Sequence, residues 1–124
     1  MRALLLFVAL GAFAVPATGH SREVIGYAGH LGEWELTATV AENVRTQEFS
    51  GPLTMRHVGI CTQDGPEEKS GEIRLQVSES SVRMSASLLI DGVKCSYYGR
   101  LSESYTGPMS CVGREAVPLT LWIK

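Results

Sequence analysis

This sequence of 124 residues has no basic run, no metal-ligand spacing, few aromatics and only one long apolar stretch. Each shortage excludes a class. Its 11 Lys and Arg are outnumbered by 13 Asp and Glu, so the electrostatic footprint of a nucleic-acid binder is missing. The single apolar stretch lies at the N-terminus, which excludes a polytopic helical membrane protein. No CxxC, HxH or HExxH spacing supports zinc, and no metal site or cofactor is expected. Neither a nucleophile elbow, a phosphate-cradling glycine loop nor a carboxylate pair with catalytic spacing is present, so the chain is not read as an enzyme. What it does not lack is apolar content. At 44% hydrophobic residues and a formal charge of −2 it is no disordered tail, and its length suits one domain.

The N-terminal stretch has the layout of an export signal. Met1 and Arg2 form a short positive start, the apolar run occupies residues 3–15, and Pro16, Ala17, Thr18 and Gly19 follow. A run of about 13 residues is too short to span a bilayer, which takes roughly 20. Small-x-small cleavage fits after Ala17 or after Gly19. The expected organisation is a signal peptide over residues 1–19 and one domain over residues 20–124, in a periplasmic or secreted protein with no membrane insertion after cleavage.

Beyond that segment the dominant period is two. Trp34, Leu36, Ala38 and Val40 alternate with polar residues, as do Ile73, Leu75 and Val77, then Met84, Ala86, Leu88 and Ile90, and finally Val117, Leu119, Leu121 and Ile123. Successive side chains on a strand point to opposite faces, so each segment has one buried and one wetted side. Asp91-Gly92 between Ile90 and Val93 is a two-residue hairpin signal. Residues 62–70, with Asp64, Glu67 and Glu68, read as a long exposed acidic loop. Phe49-Ser50-Gly51-Pro52-Leu53-Thr54-Met55 is echoed by Tyr105-Thr106-Gly107-Pro108-Met109-Ser110-Cys111, which implies two similar strand bends. Seven strands are clear, residues 23–27 offer an eighth, and the connections are short. The fold expected is an all-β, antiparallel up-and-down meander barrel of seven to eight strands, with a β-sandwich as the alternative.

Gly32-Glu33-Trp34, at the start of the first strong strand, resembles the Gly-x-Trp opening of the calycin barrels, the lipocalin and avidin relatives. The resemblance implies a barrel whose Trp closes one end. It covers these three residues and the meander pattern over about 90 more. No later lipocalin signature is present, so it implies no particular ligand.

The cysteines are Cys61, Cys95 and Cys111. A hairpin centred near Glu103 places Cys95 opposite Cys111 on one face, within reach of a disulfide; Cys61–Cys95 and Cys61–Cys111 are the other pairings. One thiol is left over in each case, as a buried small side chain or a reactive group. Cleavage after Gly19 would expose His20 as a terminal amine and imidazole. It could then bind copper with His30 or His57, whereas a disordered terminal His is the plainer reading. His57 shares the inward parity of Leu53 and Met55.

Two binding modes follow. A small apolar ligand would sit in the barrel interior among Trp34, Met55, His57, Met84, Tyr97 and Met109. A protein partner would instead use the outer surface, through Tyr98 and Trp122 or the Asp64, Glu67 and Glu68 loop, as in a periplasmic inhibitor of a lytic enzyme. An interior hollow of a few hundred Å3 favours the ligand; a filled barrel favours the partner.

Overall fold

The structure is a computed structural model and describes residues 21–58 and 67–124. The described residues form eight strands: β1 Ser21–Ala28, β2 Trp34–Asn43, β3 Glu48–His57, β4 Glu68–Val77, β5 Arg83–Ile90, β6 Val93–Leu101, β7 Tyr105–Cys111 and β8 Val117–Ile123. Each pairs antiparallel with its neighbours in sequence, and β8 returns to β1 with Val24 opposite Ile123 and Ala28 opposite Leu119. The meander is therefore a closed barrel and not a sandwich. Closure gives every strand two partners and leaves no edge to attract another chain.

Burial follows strand parity. Leu36, Ala38 and Val40 on β2 are buried while Thr37 and Thr39 are exposed; Met84, Ala86, Leu88 and Ile90 do the same on β5. Val82 and Leu101 have inward parity but are exposed, because they lie beyond the last core layer at the barrel rim. The β5–β6 turn places Asp91 at φ 50° and Gly92 at φ 80°, the mirror-image hairpin geometry that suits a twisted ladder. Residues 23–27 belong to a full strand with partners on both sides. The acidic loop is shorter than its composition suggests. β4 begins at Glu68, opposite Arg56, with Lys69 opposite Met55 and Ser70 opposite Thr54, so pairing with β3 carries the strand three residues into the polar stretch.

The two Gly-Pro bends occupy matching places. A Cβ at Gly51 would run into the carbonyl of Thr39 on β2, and one at Gly107 into the carbonyl of Tyr98 on β6. Only glycine lets neighbouring strands press together there. The regular pairing skips the adjacent prolines on that side: Ala38–Leu53 and Ala41–Ser50 flank one gap, Tyr97–Met109 and Arg100–Thr106 the other. Proline brings no amide donor to the ladder at either place.

The interior is one hydrophobic cluster running the length of the barrel, with Tyr97, Leu36, Leu53, Ile73, Met84 and Leu121 among its fully buried members. Among the described residues no charged side chain is buried. Fully burying a side chain of the Leu or Met size stabilises by about 1.5–3 kcal/mol, so this shared cluster is the principal stabilising element of the domain.

Candidate functional site

The barrel has two differently closed ends. At one, Tyr105 is buried and its hydroxyl donates to the carbonyl of Ser81 at 2.7 Å, fastening β7 to the β4–β5 turn. Phe49 packs against the core at the same end. At the other end stands Trp34, half-buried, with the His57 ring edge-on to it at 4.7 Å and the Lys69 ammonium 4.9 Å from its ring centre. Such a cation–π contact at a wet rim is worth about 0.5–1 kcal/mol. Glu33 stands beside it and accepts a hydrogen bond from the backbone amide of Leu31 at 3.0 Å. Its own backbone amide, and then that of Leu31, hold the Glu33 carboxyl below the usual carboxylate range.

The same mouth carries the disulfide. Cys95 and Cys111 are direct cross-strand partners on β6 and β7, 4.0 Å apart at Cα, and their sulfurs are bonded. Cys61 lies outside the described residues, as do Asp64 and His20. Among the described residues no three His, Cys, Asp or Glu side chains gather closely enough to hold a metal ion.

Only part of the expected interior set borders open space. Trp34, Met55 and Met109 line a hollow of about 190 Å3 at the Trp34 mouth, with the disulfide and Lys69 at its rim. Met84 and Tyr97 do not reach it; both are fully buried, and Met84 instead underlies a separate open groove near the other end of the barrel. His57 lies against Trp34 and is not among the residues that line the hollow. Tyr97 is unusual in a second way. Its hydroxyl is buried with no hydrogen-bond partner, and burial pushes its pKa up to about 12.

Of the outer-surface residues, Tyr98 is 70% exposed, whereas Trp122 is 39% exposed and packs edge-on against Tyr27 at 5.9 Å. The two do not form one patch, since β7 runs between their strands. Glu67 and Glu68 are exposed, and the carbonyl of Glu67 accepts from the His57 amide at 2.9 Å. What the outward residues taken singly do not reveal is how they line up. On the wall formed by β5, β6, β7 and β8, Arg83 faces Arg100, Arg100 faces Thr106, and Thr106 faces Thr120. The next row contains Ser85 opposite Tyr98 and Pro108 opposite Pro118, and the row after it Ser87, Ser96 and Ser110. An open groove of about 710 Å3 covers the β5, β6 and β7 part of the first two rows and runs on over the end of β4 to the β4–β5 and β2–β3 turns.

Comparison with protein-family models, with curated proteins and with solved structures finds no match for this chain.

Proposed function

We propose that this chain is an exported, non-catalytic, calycin-like barrel that works by holding a partner protein against its outer wall. The observation that carries this reading is the filling of the interior. Eight strands enclose a space that side chains can fill or that can hold one small ligand. Here Tyr97, Met84 and the aliphatic residues around them fill it, leaving a hollow of about 190 Å3 at one mouth. Pockets for drug-sized ligands run to about 300–1,000 Å3. A carrier of such a ligand would have to give up part of this core. The outside offers more, because Tyr98 stands 70% exposed beside a groove, and tyrosine is enriched at protein interfaces. Blocking a lytic enzyme is one form such holding takes.

The disulfide supports export, since such bonds persist in oxidising compartments. Trp34 at one mouth, at the start of the first long strand, supports the calycin likeness. The test is native mass spectrometry of the protein exported from its full-length sequence, joined to photo-crosslinking from benzoylphenylalanine placed at Tyr98 or at Trp122. The expected result is a polypeptide without a bound small molecule and a crosslink to one discrete protein. An apolar molecule retained at one per chain would replace this reading with a ligand carrier, seated at the Trp34 mouth.

A further inference from the structure

The outer wall is charged very unevenly. The strands β5, β6, β7 and β8 contain no Asp or Glu, and their cations are Arg83, Lys94 and Arg100. The strands β1 to β4 mix both signs, with Glu23, Glu35, Glu42, Glu48, Glu68 and Glu72 beside Arg22, Arg56, Lys69 and Arg74. On the acid-free wall Arg83 and Arg100 are direct cross-strand partners. Like charges set opposite each other on neighbouring strands destabilise a sheet, so stability does not account for the pair. Among the described residues neither arginine has an ion-pair partner, whereas Arg74 lies 3.9 Å from Glu48. Glu79 borders the same groove from the β4–β5 turn and is the one carboxylate on its rim.

The rest of the wall suits docking. Around the arginines stand Tyr98, Pro108, Ser85 and Thr106, short or rigid side chains that lose little freedom when covered. Tyrosine and serine dominate antibody contact loops for that reason, and Arg and Tyr carry much of the binding energy in protein interfaces. Tyr98 lies one row from the arginine pair and is 70% exposed. A guanidinium pair beside an aromatic face takes a carboxylate through paired N–H donors while apolar neighbours pack on the ring.

We propose that the groove around Arg83, Arg100 and Tyr98 docks an acidic segment of a partner protein, with the two guanidiniums sharing its carboxylates. This rests on the reading of the chain as a surface-binding barrel and adds where on the wall the partner sits and what chemistry it presents. The fit is one of charge: the groove is lined by Arg83 and Arg100 against the single carboxylate of Glu79, in a chain whose overall formal charge is −2.

The test uses the protein expressed from its full sequence, isotope-labelled for amide NMR, with decaglutamate as probe at 50 mM salt. Shifts are expected to cluster at Arg83, Ser85, Tyr98, Arg100 and Thr106. Arg83→Gln, Arg100→Gln and Tyr98→Ala should each weaken binding at least tenfold, and Arg56→Gln on β3 should leave it unchanged. All four positions are exposed on strands, and circular dichroism checks that the variants fold. Raising salt to 200 mM should also weaken binding. No binding, or binding indifferent to the arginine substitutions, overturns the proposal. So does tighter binding of polygalacturonate through the same residues, which would mark an acidic-glycan site. Self-association that Arg83→Gln abolishes and decaglutamate does not displace would instead place a second copy of this chain in the groove, and overturns it too. If decaglutamate fails while the crosslink from Trp122 still captures a partner, the groove assignment falls and surface binding stands. A stoichiometric apolar molecule in the native mass overturns both.

Discussion

Removing one oxygen atom from Tyr97 is expected to make this protein more stable. The ring lies wholly inside the barrel, between Ala86 on β5 and Met109 on β7, and its hydroxyl has no partner there. A buried hydroxyl that has left water and found nothing in exchange costs about 1–3 kcal/mol. Deleting it opens a void of roughly 10 Å3, the size of one small probe, which at about 24 cal/mol per Å3 costs only a few tenths of a kcal/mol. Tyr97→Phe should therefore stabilise by about 1 kcal/mol. In urea, read by the fluorescence of Trp34 and Trp122, the midpoint should rise by roughly 0.3–1 M, given a slope of about 1–3 kcal/mol per M for small domains. Alkaline pH supplies a second readout. The phenol titrates near 10 when unfolded and at about 12 in the barrel. Below pH 10 both states hold the proton and stability is level. Between 10 and 12 the unfolded state alone releases it, so stability falls by about 1.4 kcal/mol per pH unit. The Phe variant lacks this group, and its advantage over the parent should grow from pH 9.5 to pH 11. A Phe variant that is weaker than the parent, with the same pH dependence, would mean that the hydroxyl has a partner, and the reasoning would be refuted.

Tyr105→Phe should act in the opposite sense, losing about 1 kcal/mol in the same urea assay, because its hydroxyl is bonded to the Ser81 carbonyl at 2.7 Å. Replacing both Cys95 and Cys111 with Ala should cost about 3 kcal/mol for a link spanning 16 residues, seen as a lower thermal midpoint that reducing agent no longer changes. Gly107→Ala sets a methyl group against the Tyr98 carbonyl and should cost about 1–3 kcal/mol or more by chemical denaturation. Gly51→Ala should do the same against Thr39.

The fold was legible because a barrel obeys a single rule, inward on one parity and outward on the other, and strands such as β2 and β5 repeat it without a break. The register of two hairpins was legible as well. A reversal centred on Glu103 sets residue 95 against residue 111, and the structure pairs them. The turn at Asp91-Gly92 sets Arg83 against Arg100 by the same geometry. That pair stayed hidden because an outward charge read singly looks like ordinary solvated surface; only its neighbour across the ladder makes it unusual. The start of β4 was obscured by composition, since Glu68 and Lys69 pair with β3 through their backbones whatever their side chains prefer. The missing partner of Tyr97 could not be read at all. It depends on which groups surround one oxygen atom in three dimensions, and inward parity says only that the ring is inside.

The contrast between inside and outside bears on where function resides. β3 and β7 share the Gly-Pro bend, the same pressure on the preceding strand and an aromatic at the same end, so the two halves of the barrel solve closure in the same way. Packing demands on the two interiors are alike. The outer walls differ nonetheless: the strands of one mix six Glu with four cations, and those of the other carry three cations and no Asp or Glu. Exposed ion pairs contribute only about 0–1 kcal/mol, too little for folding to dictate that division. Solubility alone would favour mixing both signs over the whole surface. The segregation is thus a property of the wall that neither closure nor solubility requires, and a wall of Arg, Tyr, Ser and Pro without carboxylates is suited to meeting an acidic surface. Replacing Arg83 and Arg100 together by Gln tests that separation directly. Removing the opposed like charges should hold or slightly raise the thermal midpoint while decaglutamate binding is lost; a lower midpoint would mean that the pair serves the fold after all.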